Sequence, residues 1–309
     1  MKIYAPDYYK DFKCIANKCK HNCCIGWEID IDEDTYAKYK ATGDEFGKKL
    51  YENIDTNDTP HFVLADHQRC PFLNNHNLCD IIINLVEDHL CQICTDHPRY
   101  RNFFDSREEI GLGLCCEAAA ELIITKQEKT NFVLLKDGDE IYNMEEDSFF
   151  AEREKVYTIL QNRDLTVNER IAELSKEYKI KLPDFTLSQW ASFLKKLERL
   201  DTQWDTHINK LLFLNEVDFK NYTSHEWEIA REQLLIYFVY RHMAEGLYDG
   251  RIYERLAFAI LCDKLIIAIC SANGIKDLEG LAEIARAYSS EIEYSEENLE
   301  QIFDALSNY

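Results

Sequence analysis

The sequence predicts a mainly α-helical protein: a Cys-rich metal-binding N-terminal module with short strands, packed on an all-helical C-terminal domain. Three observations predict it. Ten of the twelve cysteines fall between Cys14 and Cys116. Beyond about residue 140, apolar side chains recur at three- and four-residue spacing, the period of amphipathic helices. A polar run, Lys136-Asp137-Gly138-Asp139-Glu140, separates the two patterns and sets the expected domains at 1–140 and 141–309.

Composition narrows the function. The 309 residues are 46% hydrophobic and 12% aromatic, which is globular, and the net charge of −22 makes nucleic acid a poor partner. No apolar run precedes the first cysteine, so a secretory signal is not expected. The most apolar stretch, Leu256–Ala272, carries Asp263 and Lys264 at its centre and reads as a buried helix rather than a membrane span. These readings predict a cytoplasmic protein without a membrane partner. Thiols stay reduced there, so grouped cysteines point to metal or catalysis rather than disulfides.

In chain order, Trp27–Asp32 alternates apolar and acidic residues, a strand-like pattern. A helix is expected over Glu33–Thr42, ending near Gly43, and a short strand over His61–Leu64. Asn74–Asn77 reads as a turn. Cys79–Cys91 has helical spacing through Ile82, Leu85, Val86 and Leu90, and Glu117–Gln127 is helical. In the second half, Thr166-x-x-Glu169 and Thr186-x-x-Gln189 fit capping boxes ahead of helices to Tyr178 and Leu200. Further helices are expected over Thr202–Leu214, His225–Leu247, Tyr253–Ser271, Leu278–Tyr288 and Glu296–Ser307. The Tyr237, Phe238 and Tyr240 stripe reads as core.

The cysteines form four groups: Cys14-x4-Cys19-x3-Cys23-Cys24; Cys70-Pro71-Phe72-Leu73 with Cys79; Cys91-x2-Cys94 leading to His97-Pro98-Arg99; and Cys115-Cys116. Sulfurs spaced by a few residues can converge on one soft metal ion or cluster. Cys23 and Cys24 are poor disulfide partners as sequence neighbours. The spacing matches neither the paired CxxC of a zinc ribbon nor the ferredoxin run, so zinc and iron–sulfur both stay open, with apolar neighbours such as Trp27 and Phe72 leaning to iron–sulfur.

These motifs resemble the flagellin lysine N-methylase family. The resemblance runs from Phe12-Lys13-Cys14 through Cys23-Cys24-x-Gly26-Trp27 and Asp32-x2-Thr35-Tyr36. It continues over Cys70-Pro71-Phe72-Leu73, Cys94-x2-His97-Pro98-Arg99 and Leu112-x-Leu114-Cys115-x-Glu117, covering roughly residues 1–125. It implies a protein lysine N-methyltransferase that moves a methyl group from S-adenosylmethionine to lysines of flagellin or a similar surface protein. It also implies a [4Fe-4S] cluster, with Cys14, Cys19, Cys23, Cys24, Cys70, Cys79, Cys94 and Cys115 as the matching cysteines. Cys91 and Cys116 lie outside the matched set, and Cys116 stands where the family usually has proline. The alternatives are a non-catalytic zinc or iron–sulfur module and an iron–sulfur electron-transfer protein.

The methyl donor leaves little trace. A conventional methyltransferase shows a Gly-rich turn opening a βαβ unit, and Gly111-x-Gly113 is the nearest approach. Deprotonating a lysine needs a base, since only the neutral amine attacks. Asp30, Asp32 and Tyr36 beside the first cysteine group are candidates, with Glu117 beside the last. Asp32 and Glu117 equally fit helix starts. Arg99 can hold the carboxylate of a cofactor or hydrogen-bond a thiolate. His21, His67, His76, His89 and His97 lie among the cysteines, where structural roles are the commoner ones.

Overall fold

The computed structural model describes residues 1–139 and 141–307, and the chain forms two compact units. One is Lys13–Arg99; the other joins Met1–Phe12 to Tyr100–Tyr309. These limits differ from the composition shift near residue 140, whose Glu140 lies outside the described residues. The reason is that strands from both ends of the cysteine-rich region belong to the helical unit.

Strand β1 (Lys2–Pro6) opens the chain. The Lys13–Arg99 unit then holds helices α1 (Glu33–Ala41) and α2 (Glu45–Glu52), a ribbon of β2 (Ile54–Asp55) against β3 (His61–Phe62), and the short helices α3 (Asp80–Leu85) and α4 (Gln92–Asp96). Asp32 caps α1 and Asp44 caps α2, each accepting a third-residue amide. Gly47 is obligatory in α2, because a Cβ there would lie 1.9 Å from the Thr42 carbonyl oxygen.

Two expectations in this unit need correction. Trp27–Asp32 forms no strand of its own. Its alternation survives as burial of Ile29 and Ile31, held by the Phe62 amide on the Ile29 carbonyl and the Ile31 amide on the Pro60 carbonyl. The helix expected to run from Cys79 to Cys91 stops at Leu85, where Val86 turns to φ 65°. The carbonyls beyond it bond to α1 instead: Tyr39 and Lys38 donate to those of His89 and Asp88. Tertiary hydrogen bonds thus replace the helical ladder.

The second unit is built on a four-stranded sheet in the order β4–β5–β1–β6, with β4 at Arg99–Phe103, β5 at Arg107–Leu112 and β6 at Phe132–Lys136. β1 runs parallel to β5 and antiparallel to β6. Helix α5 (Glu117–Ile124) precedes β6, and α6 (Met144–Leu160), α7 (Val167–Glu177), α8 (Leu187–Leu194) and α9 (Trp204–Leu211) follow it. They lead to α10 (His225–His242), α11 (Gly246–Asp249), α12 (Ile252–Asn273), α13 (Leu278–Ile292) and α14 (Glu296–Ser307). Residues past 141 are helical as expected, but they do not fold as a domain apart. Tyr240 of α10 donates to the carbonyls of Tyr4 and Ile110, seating the helices on the sheet.

Both capping boxes form, on Thr166 and Thr186. Tyr237, Phe238 and Tyr240 are core, none more than 1% exposed. Helix α12 is long and apolar enough to cross a membrane, yet its side chains are mostly buried inside this unit. Its central Asp263 forms an internal ion pair with Arg231 at 2.7 Å. Helix α6 carries no sequence stripe because it buries Glu146 and Arg153 beside Phe149, Val156 and Leu160. Arg153 and Arg107 both donate to Glu109 Oε1 at 2.5 Å.

Candidate functional site

The Lys13–Arg99 unit gathers thiols from three parts of its sequence. The Cys70 amide donates to the Cys24 carbonyl at 2.8 Å, and Gly26, at φ 94°, donates to Gln68 at 3.0 Å, so the first and second cysteine groups lie side by side. A turn held by Asn74 then returns the chain so that Leu73 bridges Cys79, and the Asp80 amide reaches the Phe72 carbonyl at 2.7 Å. The third group arrives through α1. Asp32 Oδ2 accepts the Gln92 amide at 2.8 Å, and the Tyr39 hydroxyl lies 3.6 Å from Cys91 Sγ.

The outcome is one electrostatic group made of Cys23, Cys24, Cys70, Cys79, Cys91 and Cys94. Charge on Cys24 is felt by Cys23, Cys70 and Cys79, and charge on Cys94 by Cys91, Cys70 and Cys79. Ile29, Ile31, Tyr39, Leu50, Phe62, Phe72 and Ile81 form an apolar core with Cys70 and Cys91, and Cys24, Cys79 and Cys94 pack against it, while Cys23 is exposed. Cys70 and Cys91 are buried, and Cys24, Cys79 and Cys94 partly so.

The thiols titrate as linked pairs. A hydrogen bond from Cys24 lowers Cys23 to about 7, and the same bond drives Cys24 up. The Cys94 thiol lowers Cys91 in the same way, and that bond raises Cys94. Burial pushes Cys70 up to about 12 and raises Cys79. Within each pair one thiol is thus held more acidic and the other less so.

This donor set fits a soft metal, since thiolate is its entire chemistry. Four sulfurs on one zinc ion, each about 2.3 Å from it, stand about 3.8 Å apart. Among the described residues, no group of three or more His, Cys, Asp or Glu is drawn close enough to hold a single metal ion.

Of the eight cysteines expected to bind metal, Cys23, Cys24, Cys70, Cys79 and Cys94 lie in the group. Cys14 is exposed, its sulfur accepting the Ala16 amide at 3.4 Å, and the Cys19 thiol donates to the His21 carbonyl at 3.1 Å. Cys115 lies in the other unit, where burial raises it to about 12, it hydrogen-bonds Tyr294, and Arg241 is nearby. Cys91 joins the group although it fell outside the matched set. Its CxxC spacing to Cys94 was the available signal.

The other expected residues separate by environment. Asp32 has both oxygens committed, one to Thr35 and one to Gln92. Burial works against its charge, but those amides outweigh it and hold the carboxyl below its usual range. Asp30 is exposed and bridges His61. Tyr36 packs against the thiol core under the Lys40 ammonium, 4.0 Å from its ring. Arg99 donates to the Thr95 carbonyl at 3.0 Å, at the end of the turn carrying Cys94. Burial, then Arg99, lowers His97 to about 4, so it stays neutral. Glu117 opens α5, as its helix-start reading expects. Gly111 makes room for a side chain rather than a phosphate: a Cβ there would fall 2.3 Å from Tyr100 Cζ.

Residues 109–309 match the model of the FliB lysine N-methylase C-terminal domain. A lysine-N-methylase of Salmonella typhimurium strain LT2 is 25% identical over 136 residues, covering 40% of this chain and 32% of the relative. A lysine-N-methylase of Salmonella choleraesuis is 23% identical over the same shares. A flagellar biosynthetic protein FliU of Salmonella muenchen is 24% identical over 129 residues, 40% of this chain and 76% of that protein. The chain thus spans about a third of the length of the lysine-N-methylases it matches. No solved structure matches.

Proposed function

This chain belongs to the FliB lysine N-methylase family, and we propose that it is a protein lysine N-methyltransferase. It transfers the methyl group of S-adenosylmethionine to the ε-amine of lysines on flagellin or a similar surface protein. The observation that carries this reading is the family match over 109–309, which covers the helical unit. The thiol group of the Lys13–Arg99 unit supports it by supplying the donor set for a [4Fe-4S] cluster.

In this reading Cys23, Cys24, Cys70, Cys79, Cys91 and Cys94 are the pool from which the cluster draws its ligands. Bound there, the cluster would supply a redox-active or Lewis-acidic iron centre. The protein residues do the rest. A lysine attacks only as the free amine, so a base removes its proton. Asp30 and the Tyr36 hydroxyl are the groups we assign to that step. Asp32, spent on two amides, positions the thiol turn. Arg99 is the group for the carboxylate of S-adenosylmethionine, which it can grip with paired N–H donors. The acidic chain as a whole favours a substrate surface rich in lysine.

The test is to incubate anaerobically purified protein with isotopically labelled S-adenosylmethionine and flagellin, then map lysine masses. Label on flagellin lysines supports the proposal; protein loaded with its metal that labels no lysine refutes it. One observation favours a second reading, a metal module serving folding alone: the thiols share one core with Ile29, Phe62 and Phe72. Chelation would then unfold the unit while no methyl transfer is ever seen.

A further inference from the structure

Cys91 and Cys94 differ from the other thiols in geometry. Cys91 caps the short helix α4, and the Thr95 amide donates to the Cys91 carbonyl at 2.9 Å. One helical turn therefore separates the two cysteines. Residues one turn apart have Cα atoms about 5–6 Å from each other, within the span a disulfide bridges without backbone movement. Cys23 and Cys24 are also close in sequence, but as immediate neighbours they would close a strained ring. Cys91 is buried and Cys94 partly exposed, an arrangement of a sheltered thiol behind an accessible one. The Tyr39 hydroxyl, 3.6 Å from Cys91 Sγ, and the Asp32–Gln92 bond hold the turn in place.

We propose that Cys91 and Cys94 are a redox pair, closed to an intramolecular disulfide by a hydroperoxide and reopened by a dithiol. Hydrogen peroxide oxidises one of the two thiols to the sulfenic acid and is reduced to water. The other sulfur then attacks the sulfenic sulfur, and the hydroxyl leaves as a second water with the attacking thiol's proton. Two thiols and one peroxide become one disulfide and two waters. Each thiol resolves the sulfenic acid of the other, so Cys91 keeps Cys94 from irreversible oxidation. Closing the pair also withdraws two sulfurs from the thiol group, a consequence that rests on the metal reading above while the disulfide itself does not.

The test treats the purified full-length chain with graded hydrogen peroxide, blocks remaining thiols, and maps disulfides by peptide mass spectrometry without reduction. Metal content is measured on the same samples. The expected result is a Cys91–Cys94 disulfide as the main early product, fully reversed by dithiothreitol. In the Cys91→Ser variant, Cys94 goes instead to sulfinic acid, which dithiothreitol does not reverse. A main product joining other cysteines, or equal irreversible loss of Cys94 with and without Cys91, overturns the pair. The disulfide forming in protein that binds neither iron nor zinc on reconstitution leaves the pair standing and removes the metal reading. Protein that binds metal but, once stripped of it, forms no such disulfide does the reverse.

Discussion

The Asp32 carboxylate accepts the backbone amide of Gln92 at 2.8 Å, across 60 residues of sequence. Its other oxygen accepts the Thr35 amide at 2.9 Å, so one side chain both starts α1 and fixes the turn between Cys91 and Cys94. A capping residue thereby becomes a support for the thiol group.

Replacing Asp32 with alanine removes the cap and the long-range bond together. We expect a loss of about 1–2 kcal/mol in urea-induced unfolding. Alkylation of Cys94 in the folded protein should also quicken. Unchanged stability and unchanged alkylation would mean that the cap does not hold the turn.

The same carboxyl gives a pH dependence with a definite sign. Its folded value is depressed below the ordinary 3.8 by the Gln92 and Thr35 amides, against the opposing effect of burial. The contribution is therefore fully present above the unfolded value and fades as pH falls through the folded one. Compared with Asp32→Asn, the native chain should keep a constant advantage from about pH 7 to about pH 5 and lose it below about pH 4. An advantage that grows on acidification would contradict the assignment.

Glu109 is buried beneath two guanidinium groups, those of Arg107 and Arg153. Glu109→Gln leaves both cations facing a neutral amide in the interior. The expected cost is about 3–5 kcal/mol, read from thermal or denaturant unfolding. A loss under about 1 kcal/mol would show that these arginines find other partners.

Gly111 marks a steric limit rather than a cofactor turn. Gly111→Ala should destabilise by about 1–3 kcal/mol, because the added methyl meets the Tyr100 ring. The double variant with Tyr100→Ala should recover part of that cost, which a double-mutant cycle measures. Additive effects would place the strain elsewhere.

Much of this was legible in the sequence, for physical reasons specific to each segment. Thr166 and Thr186 announced their helices because a capping box is a local pattern of residue types. The helical character of α12 was readable from its apolar density, and its internal Arg231–Asp263 pair explains the central charge. Helix α6 was not readable, because Glu146 and Arg153 sit in its buried face and erase the stripe. The sheet escaped as well: β1 and β5 are joined by pairing across a hundred residues, which no local window contains. Among the cysteines, clustering in sequence predicted clustering in space for Cys23, Cys24, Cys70, Cys79 and Cys94. Cys91 lies outside the set that the family resemblance implies, although its CxxC spacing to Cys94 places it one helical turn away. The resemblance itself rested on residues 1–125, whereas the family model matches 109–309, the part without a short motif. Helical cores carry family likeness as diffuse substitution patterns that a motif cannot express.

The account turns on whether the six converging thiols hold an iron–sulfur cluster. The direct measurement is iron, zinc and acid-labile sulfide per chain, with the visible spectrum, on protein purified without oxygen. The account predicts about four irons and four sulfides, and a brown absorbance that bleaches on reduction and falls sharply in Cys70→Ala. A colourless protein with stoichiometric zinc and no sulfide would contradict it.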